Sequence, residues 1–153
     1  MKINNNISVN RKATFEYELI EKYEAGIILK GSEVKSIREN NANIKEAYIR
    51  VKSNEIFIIG MNISEYSHQG YSTHNPIREK KLLLNRIEIN KIQKEVDEKG
   101  RTIIPLKLYY KNGRVKMEFA IAKGRKHRDK RNYKKDKDIK REIDRTMKGK
   151  KWV

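Results

Sequence analysis

The chain has 153 residues, with 37 Lys and Arg against 20 Asp and Glu, a formal net charge of +17 and a pI near 10.0. It contains no cysteine, which excludes disulfides, thiolate catalysis and thiolate metal sites together. The start, MKINNNISVNRKA, has no apolar leader core and no 18-residue apolar run occurs anywhere, so neither secretion nor membrane spanning is supported and a cytoplasmic protein is expected.

From Thr14 to Ala122 the pattern is mostly of period two, as expected of strands. Two strands are predicted first, Thr14–Glu21 and Gly26–Arg38, the latter on its GIILKGSEVKSIR run. A hairpin comes next, Tyr48–Val51 with Ile56–Met61, turning at Lys52-Ser53-Asn54. The period then changes. After Leu82-Leu83-Leu84, Asn85 is placed to cap a helix, with Glu88 three residues on. Ile89, Ile92 and Val96 make the apolar stripe, Ile87 falls off it, and Gly100 suits the C′ position. The clearest hairpin is Ile103–Ala122, in which Leu106, Leu108 and Tyr110 share one face. Lys111-Asn112-Gly113-Arg114 forms a type I′ turn, and Val115, Met117, Phe119 and Ile121 alternate after it. Pro105 has no amide hydrogen and belongs near a strand start or on an edge.

About six short strands with one main helix fit a mainly β fold, an OB-like small closed barrel over residues 1–122, with an open α+β sheet as the alternative. That body carries 22 basic and 15 acidic residues, so its own field is positive and steers polyanions.

Residues 123–153 differ in kind. They hold 15 Lys and Arg against 5 Asp and Glu, so +10 of the net charge sits in about a fifth of the length. Such a segment buries too little apolar area to offset its chain entropy, and a tail disordered in the free protein is expected. Its natural partner is RNA or DNA. Lys123 to Lys137 is almost unbroken charge; beyond it Ile139, Ile143 and Met147 recur at a spacing of four, an apolar stripe for a helix that forms against a partner.

The chemistry of catalysis is missing. His68, His74 and His127 have no ligand-like spacing, and the first two lie in the loop-like SHQGYSTHNP stretch. They read as surface or phosphate-contacting residues, with no metal site and no cofactor. No P-loop, GxGxxG or nucleophile elbow occurs. The chain reads as a binding protein and not an enzyme.

Six short motifs in register then resemble a known family. Glu24-Ala25-Gly26, Gly31-Ser32-Glu33-Val34-Lys35-Ser36-Ile37-Arg38, Ala42-Asn43, Lys81-Leu82-Leu83-Leu84-Asn85, Lys123-Gly124 and Asp129-Lys130-Arg131 stand in the order and spacing of small protein B, the SsrA-binding protein family. The match runs from about Asn10 to Met147. The resemblance implies an OB-type barrel that binds the tRNA-like part of transfer-messenger RNA and escorts it to ribosomes stalled on messages lacking a stop codon. The tail would occupy the vacant decoding site and mRNA path of the small subunit.

It further implies an RNA contact at Glu24, Leu83 and Asn85. A carboxylate facing phosphates is repelled, so Glu24 at such an interface should accept from a base edge. Lys12, Arg38, Arg78, Lys81, Lys123 and Lys126 are candidates for phosphate contacts. His127, Arg128, Asp129, Lys130 and Arg131 are implied at the decoding site, with Ile139, Ile143 and Met147 behind them. Two departures stand out. The family usually has a His or Tyr ring before the Asp-Lys-Arg triplet, where this chain has Arg128 preceded by His127; a guanidinium plane also stacks on bases. The family also favours Arg at Lys80, which would lose a bidentate phosphate contact. A structural ribosomal protein with a basic extension is the competing reading of the charge.

Overall fold

The computed structural model describes residues 5–65 and 74–150, and of these the side chains of 127–129 and 147–150 are left undescribed. The loop expected around His68 lies outside the described residues.

The chain runs β1 (Asn6–Val9), α1 (Ala13–Glu16), β2 (Tyr17–Ile27), α2 (Gly31–Arg38), β3 (Ala42–Asn43), β4 (Tyr48–Lys52), β5 (Glu55–Ile59), β6 (Asn62–Ile63), β7 (Lys80–Leu83), α3 (Arg86–Lys99), β8 (Thr102–Lys111), β9 (Arg114–Gly124) and α4 (His127–Lys150). Seven strands form one antiparallel sheet in the order β1-β8-β9-β2-β7-β5-β4, and β3 pairs with β6 apart from it. The fold is mainly β with one main helix in the body, α3. Among the described residues no ladder joins the end strands β1 and β4, so the sheet is open by hydrogen bonding. It curls enough to bring β4 within 8 Å of β8.

Both expected hairpins form. Ser53 and Asn54 have φ of 50° and 61°, and Asn112 and Gly113 have φ of 52° and 74°; two positive-φ residues per turn are what a type I′ connection needs. Asn85 caps α3, its Oδ1 accepting from the Glu88 amide at 2.9 Å, and Gly100 ends it at φ 61° in the left-handed region. Ile89 and Ile92 are buried while Ile87 is 81 % exposed, as its place off the stripe requires.

Three expectations are corrected. Gly31–Arg38 is a helix, not the end of a strand. Its buried face is Glu33, Ser36 and Ile37, a helical i, i+3, i+4 set whose polar members hide it from apolar periodicity, and Glu33 closes the first turn by accepting from the Lys30 amide at 2.8 Å. Residues 13–16 form a helical turn before β2, so the strand begins at Tyr17 and runs on to Ile27. Leu106 does not share a face with Leu108: the β8–β9 register slips between Pro105 and Lys107. That bulge turns Leu106 out to join Ala13, Ile104, Ala120 and Ala122 in a small cluster under α1, while Leu108 stays in the main core. Pro105 sits beside the bulge, before β1 begins to pair at Lys107, where no ladder partner needs its missing amide.

The main core lies inside the curl: Ile37, Ile44, Ile56, Ile58, Met61, Leu82, Ile92, Leu108, Met117 and Phe119 are all nearly or fully buried, with Tyr23 stacked on Phe119 at 5.6 Å between ring centroids. The opposite face of the sheet carries the charge.

Candidate RNA-binding face

Strand pairing sets Tyr109 beside Lys116, Lys116 beside Gly26 and Gly26 beside Leu83, one rung across four strands on the outer face. Lys81 is two residues before Leu83, Asn85 two after it, and Glu24 two before Gly26, so all share this face or its edge. The structure therefore brings Glu24, Leu83, Asn85 and Lys81 together. Leu83 is 52 % exposed, an apolar group left facing water. At Gly26 an added Cβ would meet Leu83 Cδ1 at 3.5 Å and Lys116 Nζ at 3.8 Å; without it the strand dips between those side chains.

Glu24 is fixed from one side. The Tyr109 hydroxyl donates to Oε2, and Lys111 Nζ lies 3.1 Å from Oε1. The Tyr109 hydrogen bond first, then Lys111, hold the Glu24 carboxyl below the usual carboxylate range, and burial together with Glu24 pushes the Tyr109 phenol up. The carboxylate is thus ionised, oriented and still partly exposed, with lone pairs left to accept from a ligand. Lys107 Nζ sits 5.3 Å from the Tyr109 ring centroid and pairs with Glu118 at 3.2 Å. Asn85 spends Oδ1 on its helix cap, which leaves Nδ2 to donate outward. Lys81 pairs with Glu55 at 2.9 Å, a surface contact weak enough to yield to a phosphate.

Sequence reasoning missed Tyr109, Lys111 and Lys116. The signal was present: Lys107 and Tyr109 alternate against the core residues of β8 and so must face outward, but only the β2–β9 register puts them beside Glu24.

The other candidates fall elsewhere. Lys12 lies with Arg11 on a separate groove. Arg38 is exposed at the end of α2. Lys123 and Lys126 stand at the root of α4 in a cleft shared with Glu18, Tyr133 and Asp136. Arg78 is largely occupied, its guanidinium 2.6 Å from Glu33 Oε1 and 3.3 Å from the Ile28 carbonyl. Lys80 does not face solvent at all. It is fully buried, 3.6 Å from Glu33 Oε2, and donates to the Arg78 carbonyl at 2.7 Å. Its role is internal, not phosphate binding. Burial raises the Glu33 carboxyl, but Arg78, the Lys30 amide and Lys80 outweigh it and hold it low.

His74 is likewise buried and not a surface residue. Nε2 donates to the Ile63 carbonyl and Nδ1 meets the Ser32 hydroxyl, both at 2.9 Å, tying α2 to β6. Among the described residues no group of three or more His, Cys, Asp or Glu is placed to hold a metal ion, and no helix is long and apolar enough to cross a membrane.

The tail leaves the body at one joint. The Arg125 amide donates to the Glu16 carbonyl at 2.9 Å, and its guanidinium lies 4.5 Å from the Tyr133 ring centroid. From residue 134 to 146 every side chain of α4 is exposed, Ile139 and Ile143 by 48 % and 54 %. Lys130 and Arg131 lie in its first turns. His127, Arg128, Asp129 and Met147 lie on its backbone, and their side chains lie outside the described residues.

A curled antiparallel sheet with a basic, aromatic-bearing outer face and a basic helical extension defines the class, a small β protein of the nucleic-acid-binding kind. The model of the family described as SmpB protein matches residues 7–149, and the chain belongs to that family. It is 48% identical over 142 residues to the SsrA-binding protein of Syntrophobacter fumaroxidans, covering 93% of this chain and 88% of that one. It is 48% identical over 144 residues to the SsrA-binding protein of Persephonella marina, covering 94% and 95%. The Aquifex aeolicus SsrA-binding protein is 46% identical over 145 residues, covering 94% and 92%. A solved structure described as "tmRNA-SmpB: a journey to the center of the bacterial ribosome" aligns with a TM-score of 0.64 at 37% identity, over 78% of this chain and 84% of that one.

Proposed function

We propose that the chain is a non-catalytic, cytoplasmic RNA-binding adaptor that holds the tRNA-like part of transfer-messenger RNA and delivers it to stalled ribosomes. The curled sheet acts as an OB-like barrel. Its outer face receives the RNA: Lys81, Lys107, Lys111 and Lys116 supply charge, Leu83 and Tyr109 supply surfaces for bases or sugars, and Glu24 and Asn85 supply directional hydrogen bonds. The tail, anchored at its root, carries Lys130, Arg131 and the Ile139–Ile143–Met147 stripe into the vacant decoding site and mRNA path. Either His127 or Arg128 stacks there.

The observation that carries this reading is the Glu24 carboxylate, held ionised and oriented by Tyr109 and Lys111 on a face that also bears Lys81, Lys107 and Lys116 and the carboxylates Glu55 and Glu118. On a surface that bound polyanions by charge alone it would only weaken binding; it is explained by a base edge that donates to it. Glu24→Ala removes a negative charge and so should favour non-specific RNA. The expected result is the reverse for the tRNA-like RNA, weaker binding by about 1–3 kcal/mol, measured against a salt series. Unchanged or tighter binding would contradict the assignment.

A further inference from the structure

The two halves of the Glu24 face sit on different strands, Glu24 on β2 and Leu83 at the end of β7, with Asn85 just beyond it. The ladder between those strands is short. Gly26 pairs with Leu83 and Ile27 with Leu82, whereas β2 runs beside β9 from Tyr17 to Gly26. Continued two places, the same register would set Glu24 opposite Asn85, but the pairing of the two strands ends at Gly26 and Leu83. The spacing between those two directional groups is therefore fixed from the other end of the ladder.

At that end a single side chain joins the parts. The Ile28 amide donates to the Lys81 carbonyl at 3.0 Å. The Arg78 guanidinium donates through Nη2 to the Ile28 carbonyl at 3.3 Å and to Glu33 Oε1 at 2.6 Å, and through Nη1 to the Glu79 carbonyl at 3.1 Å. One fork thus ties the end of β2 to α2 and to the backbone leading into β7. The abutment behind it is itself braced. Glu33 is fully buried and accepts from the Lys30 amide at 2.8 Å. Lys80 Nζ donates to the Arg78 and Met61 carbonyls at 2.7 and 3.3 Å, and His74 links Ser32 of α2 to the Ile63 carbonyl.

These contacts decide between two uses for Arg78. As a phosphate ligand it would turn away from Glu33 and leave a fully buried carboxylate with Lys80, 3.6 Å away, which is costly for a charge out of water. Its side chain is 26 % exposed and its Nε is buried, so little of the guanidinium faces a ligand. A lysine in its place would keep the charge but, as a point donor, could not reproduce the planar reach to three acceptors.

We infer that Arg78 is a positioning residue for the RNA face: it touches no RNA, and it sets the spacing between Glu24 and the Leu83–Asn85 segment by clamping β2, α2 and β7 at the far end of their short ladder. The inference rests on the RNA face proposed above. The test measures binding of the full chain to the tRNA-like RNA over a salt series, with melting curves to establish that each variant is folded at the temperature used. Arg78→Lys should weaken binding about tenfold, the scale of one directional contact. In a Glu24→Ala background the same change should cost about twofold or less, because the carboxylate it positions is gone. A role in stability alone would weaken both backgrounds alike. Arg78→Gln removes the charge and should lower affinity with the slope of log K against log salt unchanged, whereas a lost phosphate contact would reduce that slope by about one. If Arg78→Gln does not fold, the cycle with Arg78→Lys decides. Additive losses, a reduced salt slope, or full affinity in Arg78→Lys would each overturn the positioning role while Glu24→Ala still weakens binding. If Glu24→Ala leaves binding unchanged, the RNA face itself fails and the role of Arg78 falls with it.

Discussion

At the scale of single residues, the candidate RNA face depends on side chains that hold other side chains. Glu24 is directional because Tyr109 and Lys111 fix it, and Gly26 matters for the side chain it lacks. Gly26→Val is therefore expected to fill the dip beside Leu83 and weaken tRNA-like RNA binding by about tenfold, the loss of one good contact. Thermal stability should be unchanged or slightly higher, since Cβ contacts at 3.5 Å are ordinary and a branched residue suits a strand. Unaltered affinity would place the RNA elsewhere on the sheet.

The buried Glu33–Arg78–Lys80 group makes a separate prediction in pH. Glu33 is held below its ordinary value of 4.5 by Arg78, the Lys30 amide and Lys80 despite burial. Its stabilising contribution is therefore complete above that value and is lost as pH falls through the lower, folded-state one. Glu33→Gln should lower stability at neutral pH and flatten the acid limb of a denaturation profile. Lys80→Met, which leaves the carboxylate with one cation fewer, should destabilise by about 3–5 kcal/mol. A denaturant midpoint that does not move would show the network to be dispensable.

At the scale of elements, legibility in the sequence depended on whether apolar spacing alone decided the outcome. The hairpins at Lys52–Glu55 and Lys111–Arg114 and helix α3 obey alternation, cap and turn chemistry, and they form where those signals place them. Helix α2 was not legible because its buried face is two-thirds polar: Glu33 and Ser36 go inside with Ile37, and the sequence-distant cations Arg78 and Lys80 make the buried carboxylate tolerable. The bulge at Leu106 was equally hidden, since a register slip leaves the alternation of letters intact and changes only which face they serve. For the same reason the Glu24 contact was named through family resemblance, while its partners Tyr109 and Lys111 needed the strand register. The cap at Asn85 and the RNA contact proposed for it can be parted by substitution. Asn85→Ser keeps a capping oxygen and should hold stability within a few tenths of a kcal/mol, where Asn85→Ala costs about 1. Both should weaken RNA binding, because both remove Nδ2. Full binding by the serine variant would reduce Asn85 to a cap.

At the scale of the whole molecule, charge and shape divide the labour. The body carries a shaped face with directional groups. The tail carries +10 of the +17 on a helix that, among the described residues, meets the body at its root, near Glu16, Glu18, Arg125 and Tyr133, and leaves Ile139 and Ile143 in water. The structure has the tail as helix α4 where its composition predicts disorder in the free protein; an isolated helix of this kind is marginal, and its apolar stripe awaits a partner. Ile143→Pro should accordingly leave RNA binding intact and impair tagging on the ribosome, with no change in net charge. The most direct test removes the tail. Cut after Arg131, the chain keeps the sheet face and should still bind transfer-messenger RNA in a purified translation system, somewhat less tightly for the lost charge, while tagging of nascent chains on stalled ribosomes falls sharply. Normal tagging by the truncated chain, or loss of RNA binding in step with tagging, would contradict the division between a binding face and a decoding tail.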